Sequence, residues 1–219
     1  MSHSATGGGW REGRRQSARD AIVESAWEAV RGLGLGGLSM RDLANRAGIT
    51  TPTVYSYFES KNDIFDAMFG QAATEFEAQM SAPYPDEGPR EGLVACAQRF
   101  ASFCTEDVLR YQLLFQRTIP GFEPSPASYR PAVAALEASR RHLAACGITH
   151  ARQVDVWTAL LTGLVDQQIS NDPGGQRWLA LLDDAVDMFV AHCQGQHHRL
   201  ASRRNPRSPR TPQRKGARR

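Results

Sequence analysis

Long apolar runs are absent from these 219 residues. No stretch approaches the ~20 residues a membrane-spanning helix requires, so no membrane association is expected. The opening segment, Met-Ser-His-Ser-Ala-Thr-Gly-Gly-Gly-Trp, holds no apolar core of a secretory signal. A cytoplasmic protein is therefore expected. Cysteine is scarce, with Cys96, Cys104, Cys146 and Cys193 spread widely. They form no Cys-x-x-Cys, and no histidine stands near them at a zinc spacing, so neither metal nor cofactor is expected. They read as reduced thiols buried as small hydrophobes. Cys96 and Cys104, eight apart, can share a helix face, which leaves control by thiol oxidation open. Enzyme signatures are missing too: there is no G-x-S-x-G, P-loop, G-x-G-x-x-G or H-E-x-x-H. No carboxylate pairs with His142 or His150 at a telling spacing, so an enzyme is not expected. Finally, no strand-like alternation of useful length and no internal repeat occur.

What is present is a folded, globular composition, 41% hydrophobic and 22% charged. The net charge of +3 conceals a pattern. Residues 1–61 carry a net +2, residues 62–194 a net −8, and residues 195–219 a net +9. A weakly basic head, an acidic body and a basic tail point to separate tasks, with the basic ends suited to a polyanion. Residues 1–13 are Gly- and Ser-rich and read as a flexible arm. Residues 196–219 are rich in Pro and Arg and read as a disordered basic tail, able to add nonspecific attraction to phosphates.

Between these ends the pattern is all-α. Ser17-x-x-Asp20, Ser39-x-x-Asp42 and Ser60-x-x-Asp63 each look like a helix start, a Ser cap with an acid at N3. Ile22, Ala26, Ala29 and Leu33 follow the first at helical spacing, and Gly-Leu-Gly-Leu-Gly-Gly (32–37) ends that helix. Met40, Leu43, Ala44 and Ala47 follow the second, and Gly48 stops it. Thr50 can cap the next helix, with Pro52 tolerated in its first turn. The third cap opens a longer helix with Ile64, Phe65, Met68, Ala72 and Phe76. Further helices are expected over 90–105, 107–117, 128–146, 150–170 and 176–194.

Residues 39–57 thus form two short helices joined by a tight Gly turn, a helix-turn-helix whose second helix reads DNA. Tyr55 and Tyr57 lie two apart, so a helix points them about 200° apart and one core cannot take both. Val54 and Phe58 face the core. Thr51, Thr53, Tyr55 and Ser56 point away, and Tyr57 stands at the end near a backbone phosphate. Threonine and tyrosine hydroxyls bond phosphate oxygens, and a Thr methyl or a Tyr ring can meet a thymine methyl. Arg41 and Lys61 each occupy the first turn of a helix, where the dipole disfavours a cation. A phosphate partner explains both.

The stretch Leu-Ser-Met-Arg-Asp-Leu-Ala-Asn-Arg-Ala-Gly-Ile-Thr-Thr-Pro-Thr-Val-Tyr-Ser-Tyr-Phe-Glu-Ser-Lys, residues 38–61, resembles the TetR family of bacterial transcriptional regulators. Leu43-Ala44, Ala47-Gly48-Ile49, Tyr55, Tyr57-Phe58 and Lys61 carry the likeness, with Ala26 and Gly34 in the first helix. It covers roughly residues 15–70. It implies an all-α homodimer: an N-terminal three-helix bundle with the helix-turn-helix (14–61), then a helical ligand-binding and dimerisation domain (62–195). It implies a double-stranded DNA operator and a small-molecule effector as partners. The DNA contacts would be Arg41, Thr50, Thr51, Thr53, Tyr55, Ser56, Tyr57 and Lys61.

The resemblance also implies a dimer interface on the last two helices. Trp157, Leu161, Leu164, Val165, Leu182, Val186 and Phe189 are expected there, with Gly163 allowing close approach. The effector pocket is expected among the helices of 62–146, lined by Phe76, Phe100, Phe103, Tyr111 and Phe115. Phe122 is a further candidate, with Cys104, Gln112 or His142 as polar contacts, and the aromatic content suits an apolar ligand. The function that follows is a homodimeric repressor released from a palindromic operator by a small apolar molecule. The alternative is a DNA-binding regulator controlled by thiol oxidation or a protein partner.

Overall fold

Helices α1 (Thr6–Leu33), α2 (Met40–Arg46) and α3 (Thr51–Tyr57) close around one small core. The computed structural model describes residues 6–85 and 87–204. Within them the remaining helices are α4 (Lys61–Ser81), α5 (Pro89–Glu106), α6 (Val108–Phe115), α7 (Pro126–Ala145), α8 (Ala151–Asn171) and α9 (Leu182–Arg204). Short 3-10 turns cover Leu35–Gly37 and Leu179–Leu181, and the described residues contain no strand.

Local chemistry explains most boundaries. Ser39 accepts from the Asp42 amide and Ser60 from the Asp63 amide, and the Asp63 carboxylate accepts from Ser60 N–H in return. That reciprocal box satisfies two orphan donors at the start of α4. Gly48 has φ +66°, and the Ile49 amide bonds back to the Ala44 carbonyl at 3.0 Å. Gly147 repeats the device at φ +85°, with the Ile148 amide 2.8 Å from the Leu143 carbonyl. A side chain at either site would strain the left-handed turn that closes the helix.

Ser17 is not a cap. Its hydroxyl donates to the Gly13 carbonyl inside α1, which already runs from Thr6. The expected flexible arm over 1–13 is therefore helical from Thr6 onward. Once a helix exists, each further turn adds a hydrogen bond per residue fixed, so a polar sequence can extend it. At the other end α9 runs on to Arg204. The expected basic tail thus begins within a helix, and residues 205–219 lie outside the described residues. The helix expected from residue 176 starts only at Leu182. The buried Gln168 holds the preceding segment, accepting from the amides of Trp178 and Leu179 at 2.9 and 3.3 Å.

The described residues form two apolar cores. The first joins Ala26, Trp27 and Val30 of α1 to Leu43, Val54 and Phe58. The second joins Leu93, Tyr111, Leu143, Trp157, Val165, Val186 and Phe189. α4 belongs to both: Ile64, Phe65, Met68 and Phe69 lie in the first, and Phe76 and Met80 in the second. Trp27 Nε1 donates to Gln71 at 2.7 Å and Gln71 to Glu24 at 2.6 Å, fastening α1 along α4. Ser60→Ala removes the cap at the start of α4. It is expected to lower unfolding free energy by about 1 kcal/mol in chemical denaturation; no measurable loss would mean the box is not formed in solution.

Candidate functional site

The reading helix is short, so its neighbours hold it. Val54 and Phe58 are buried beneath α3, as its apolar spacing requires. At its start the Thr50 hydroxyl caps the helix, accepting from the Thr53 amide, and sits 2.8 Å from the Thr53 hydroxyl. One of those two hydroxyl protons is spent between them, leaving one for an outside acceptor. Ser56 donates its proton to the Thr53 carbonyl at 2.7 Å, so its oxygen is left mainly as an acceptor. Tyr55 is half exposed on the outer side of α3, while Tyr57 is partly buried against the core. The two tyrosines thus do different things: Tyr57 leans on the protein and Tyr55 stands clear of it.

Arg41 is exposed at the first turn of α2, and Lys61 is partly buried at the start of α4, its ammonium 5.6 Å from the Phe65 ring. Arg41, Thr50, Thr51, Thr53, Tyr55, Ser56, Tyr57 and Lys61 all retain some exposure along α2, α3 and the start of α4. One positioning residue escaped the sequence reading. Arg19 of α1 donates to the Tyr57 carbonyl at the end of α3, and its guanidinium lies 4.2 Å over the Phe58 ring. A cation at a helix C-terminus is favoured by the dipole, and stacking on an aromatic face adds to it. Arg19 lies on α1 and its partners on α3, so spacing alone does not pair them.

The second site is a cavity of about 280 Å³ among α4, α5, α6, α7 and α8. Phe76, Phe100 and Phe115 line it, as expected. Phe103, Cys104 and Tyr111 do not: they are buried in the core behind it. Tyr111 donates to Asp166 at 2.7 Å, and burial followed by that bond pushes its phenol pKa up. Gln112 is absent from the lining, and Phe122 packs on Phe65 in the first core. His142 is also elsewhere, stacked 3.7 Å from Tyr84 with Nε2 donating to the Gly92 carbonyl at 2.8 Å.

Met80, Cys96 and Leu114 join the three phenylalanines in the cavity wall, and the rest of the lining comes from α7 and α8, including Tyr129, Ala132, Leu136, Arg140, Thr158 and Thr162. Tyr129, Leu136 and Arg140 recur at helical spacing on α7, a stripe visible in the sequence but not distinguishable there from an outer face. Trp157 and Leu161, expected at a dimer interface, line the cavity instead. Val165, Leu182, Val186 and Phe189 are likewise buried within the protomer, and Leu164 is partly buried. Residues so enclosed have little surface to offer a partner. Among the described residues, the large apolar side chains facing outward on these two helices are Val156 on α8 and Met188 on α9, with Leu181 just before α9 and Gly163 exposed between turns of α8.

The thiols do not pair as the spacing allowed. Cys96 and Cys104 are buried, and burial lifts Cys96 to about 11 and Cys104 higher still. Cys146 and Cys193 are raised by burial as well. The reactive species is the thiolate, so none of the four is primed for oxidation near neutral pH. No group of three or more metal-ligating side chains exists among the described residues. No helix of the described residues is long and apolar enough to cross a membrane.

A short capped helix, exposed hydroxyls and flanking cations define a helix-turn-helix of the kind found in DNA-binding regulators. The family model for bacterial regulatory proteins of the tetR family matches residues 22–68. The class C tetracycline repressor of Escherichia coli is 30% identical over 114 residues, 51% of this chain and 52% of that protein. The chain therefore aligns with about half the length of that repressor. An HTH-type transcriptional repressor of Mycobacterium tuberculosis is 24% identical over 194 residues, 83% of this chain and 72% of that protein. Among solved structures, a tetR-family transcriptional regulator from Streptomyces coelicolor superposes with a TM-score of 0.63 at 19% identity, covering 80% of each chain. FadR from Bacillus subtilis in complex with stearoyl-CoA gives 0.57 at 17%, covering 78% of this chain and 96% of that one. Residues 22–68 thus match the DNA-binding region of the tetR family, and the chain as a whole is similar to regulators of that family. Its relatives are transcriptional regulators rather than enzymes.

Arg19→Ala removes the cation from the end of α3. It is expected to destabilise the chain by about 1–2 kcal/mol in thermal unfolding, with Arg19→Lys milder because the charge remains. Equal losses in the two variants would show that stacking, not charge, holds α3.

Proposed function

We propose that the chain is a ligand-responsive transcriptional regulator: a homodimeric repressor released from a palindromic DNA operator by a small, largely apolar molecule. One connection carries this reading. Tyr129 lines the cavity and stacks on Phe69 of the first core, with ring centroids 6.0 Å apart and planes inclined by 24°. Beside it, Asp66 of α4 accepts from the Ser125 amide and hydroxyl at 2.6 and 2.9 Å and from the Ser128 hydroxyl at 2.8 Å. What occupies the cavity therefore presses on the same α4–α7 joint that supports the reading helix.

The cavity's size favours a small effector, since 280 Å³ falls just below the ~300–1,000 Å³ typical of ligand pockets. Its walls are chiefly apolar, and Arg140, Thr158 and Thr162 supply a polar side. Dimerisation is supported by the outward face of Val156, Gly163, Leu181 and Met188, the last 70% exposed. A single helix-turn-helix reads one half-site, and two half-sites ~34 Å apart need two copies. The DNA contacts under this reading are Arg41, Thr50, Thr51, Thr53, Tyr55, Ser56, Tyr57 and Lys61. Control by thiol oxidation is disfavoured by the burial of Cys96, Cys104 and Cys193 and by the raised pKa values of all four thiols.

Genomic-fragment selection with purified protein, followed by footprinting, is expected to yield a palindrome with half-sites about one helical turn apart. Recovery of no sequence above random DNA would sink the repressor reading. Once an effector is found, operator and effector must weaken each other's binding by the same factor. Ala132→Phe should fill the cavity, leave operator affinity within about twofold and abolish release. Release that survives in this variant would place the effector elsewhere.

A further inference from the structure

We propose that the amino-terminal half of α1 is a second DNA-contacting element. In it Arg11, Arg14 and Arg15 bind the phosphate backbone beside the bases that α3 faces. The inference rests on the DNA-binding reading above and adds a contact surface to it.

The first observation is that residues 9–17 of α1 bury no side chain. The buried face begins at Ile22, and every described residue from Gly9 to Ser17 is exposed. This segment extends by propagation from the buried half of α1, and Gly9 and Gly13 weaken it there. The protomer's core gives no reason for the helix to extend so far.

The second observation is charge at helical spacing. Arg11, Arg15 and Arg19 fall at i, i+4 and i+8, with Arg14 beside them, so they share one side of α1. That row leads into Val23 of the first core, so it faces the head. Among the described residues no ion pair engages Arg11, Arg14 or Arg15. Arg14 lies 5.7 Å over the Trp10 ring, and Glu12 is the one acid among residues 9–19.

The third observation fixes the row relative to α3. Arg19 is bonded to the Tyr57 carbonyl and stacked on Phe58. The arginines therefore cannot swing independently of the reading helix. Between them lies a trench of about 410 Å³ lined by Arg11, Arg14, Arg15, Ser56 and Tyr57. Its walls are guanidinium groups on one side and two hydroxyl-bearing residues on the other.

A track of phosphates fits this trench by charge and geometry. Guanidinium groups bind phosphate oxygens in a bidentate manner. Arg11 and Arg15 stand about 6 Å apart along the helix. Two nucleotides of one strand advance ~6.8 Å along a duplex. Each arginine can then take its own phosphate. These contacts carry no sequence information; they add affinity and fix register.

The test uses the full chain and its triple variant Arg11→Ala, Arg14→Ala, Arg15→Ala, titrated against the footprinted duplex and a random duplex of equal length. Binding is measured between 50 and 200 mM salt. The wild type loses affinity with salt at a slope set by its phosphate contacts. The variant's slope is expected to be shallower by about 5, since a dimer loses six contacts and each contributes ~0.9. Its affinity should fall on both duplexes alike. Ethylation interference should lose the phosphates flanking each half-site and keep those beneath α3. The triple Arg→Lys variant, which retains the charges, is expected to restore the slope, which separates lost contacts from a damaged fold. An unchanged slope and interference pattern in the Ala variant, with wild-type binding intact, would overturn this inference alone. Failure of the wild type to bind either duplex would overturn the DNA-binding reading with it.

Discussion

The carboxylate of Asp66 joins the two halves of this molecule. Three donors from the start of α7 converge on it: the Ser125 amide, the Ser125 hydroxyl and the Ser128 hydroxyl. The residue opposite Ser128 is Gly70, where a Cβ would meet the Ser128 hydroxyl at 3.2 Å. A small residue one turn along from Asp66 thus lets α7 lie close against α4. α4 itself has no allegiance to a single core, since its first turns bury Ile64, Phe65 and Phe69 in one and its last turns bury Phe76 and Met80 in the other. A helix of 21 residues is about 31 Å long, rigid on this scale and anchored at both ends. The two cores cannot move independently while that helix and its joint are intact.

Sequence reading succeeded where a local rule had one solution. Gly48 and Gly147 each end a helix with the positive φ that glycine permits, and Val54 and Phe58 can satisfy only one inward face of a seven-residue helix. It failed where the same local pattern had two solutions. Ser17-x-x-Asp20 is written like Ser39-x-x-Asp42, yet only the second caps a helix. The difference lies upstream: Gly-Leu-Gly-Gly breaks the chain before Ser39, whereas Glu-Gly-Arg-Arg-Gln before Ser17 allows the helix to run through. The carboxyl-terminal helices show the same ambiguity in packing. Trp157, Leu161 and Val165 form an apolar stripe, but a helix apolar over more than one stripe does not declare which faces inward. Only the neighbours α5, α7 and α9 decide that this stripe is enclosed and that Val156 and Gly163 face out. The candidate site divides along the same line. The reading helix was legible because its residues are contiguous. The cavity was legible only in Phe76, Phe100 and Phe115, because its other walls come from helices far along the chain.

The size of the α4–α7 joint bears on how regulation would work under the proposed function. α3 has seven residues, too few to hold a helix alone in water. Its shape comes from docking: Val54 and Phe58 are buried below it, worth roughly 1.5–3 kcal/mol for a fully buried side chain of this kind. A hydrogen bond to a charged group contributes roughly 1.5–3 kcal/mol. Allosteric coupling is usually 1–3 kcal/mol. The attachments within the head and across the joint are therefore each at least as strong as the signal they would carry. An effector of ordinary coupling energy would not strip α3 from its core or tear Ser125 from Asp66. It would instead displace α4 with both attachments intact, carrying α3 with it. Tyr129 is placed for that push, since it both lines the cavity and stacks on Phe69. Under the proposed function, DNA would be released by moving a formed reading helix, not by unfolding it.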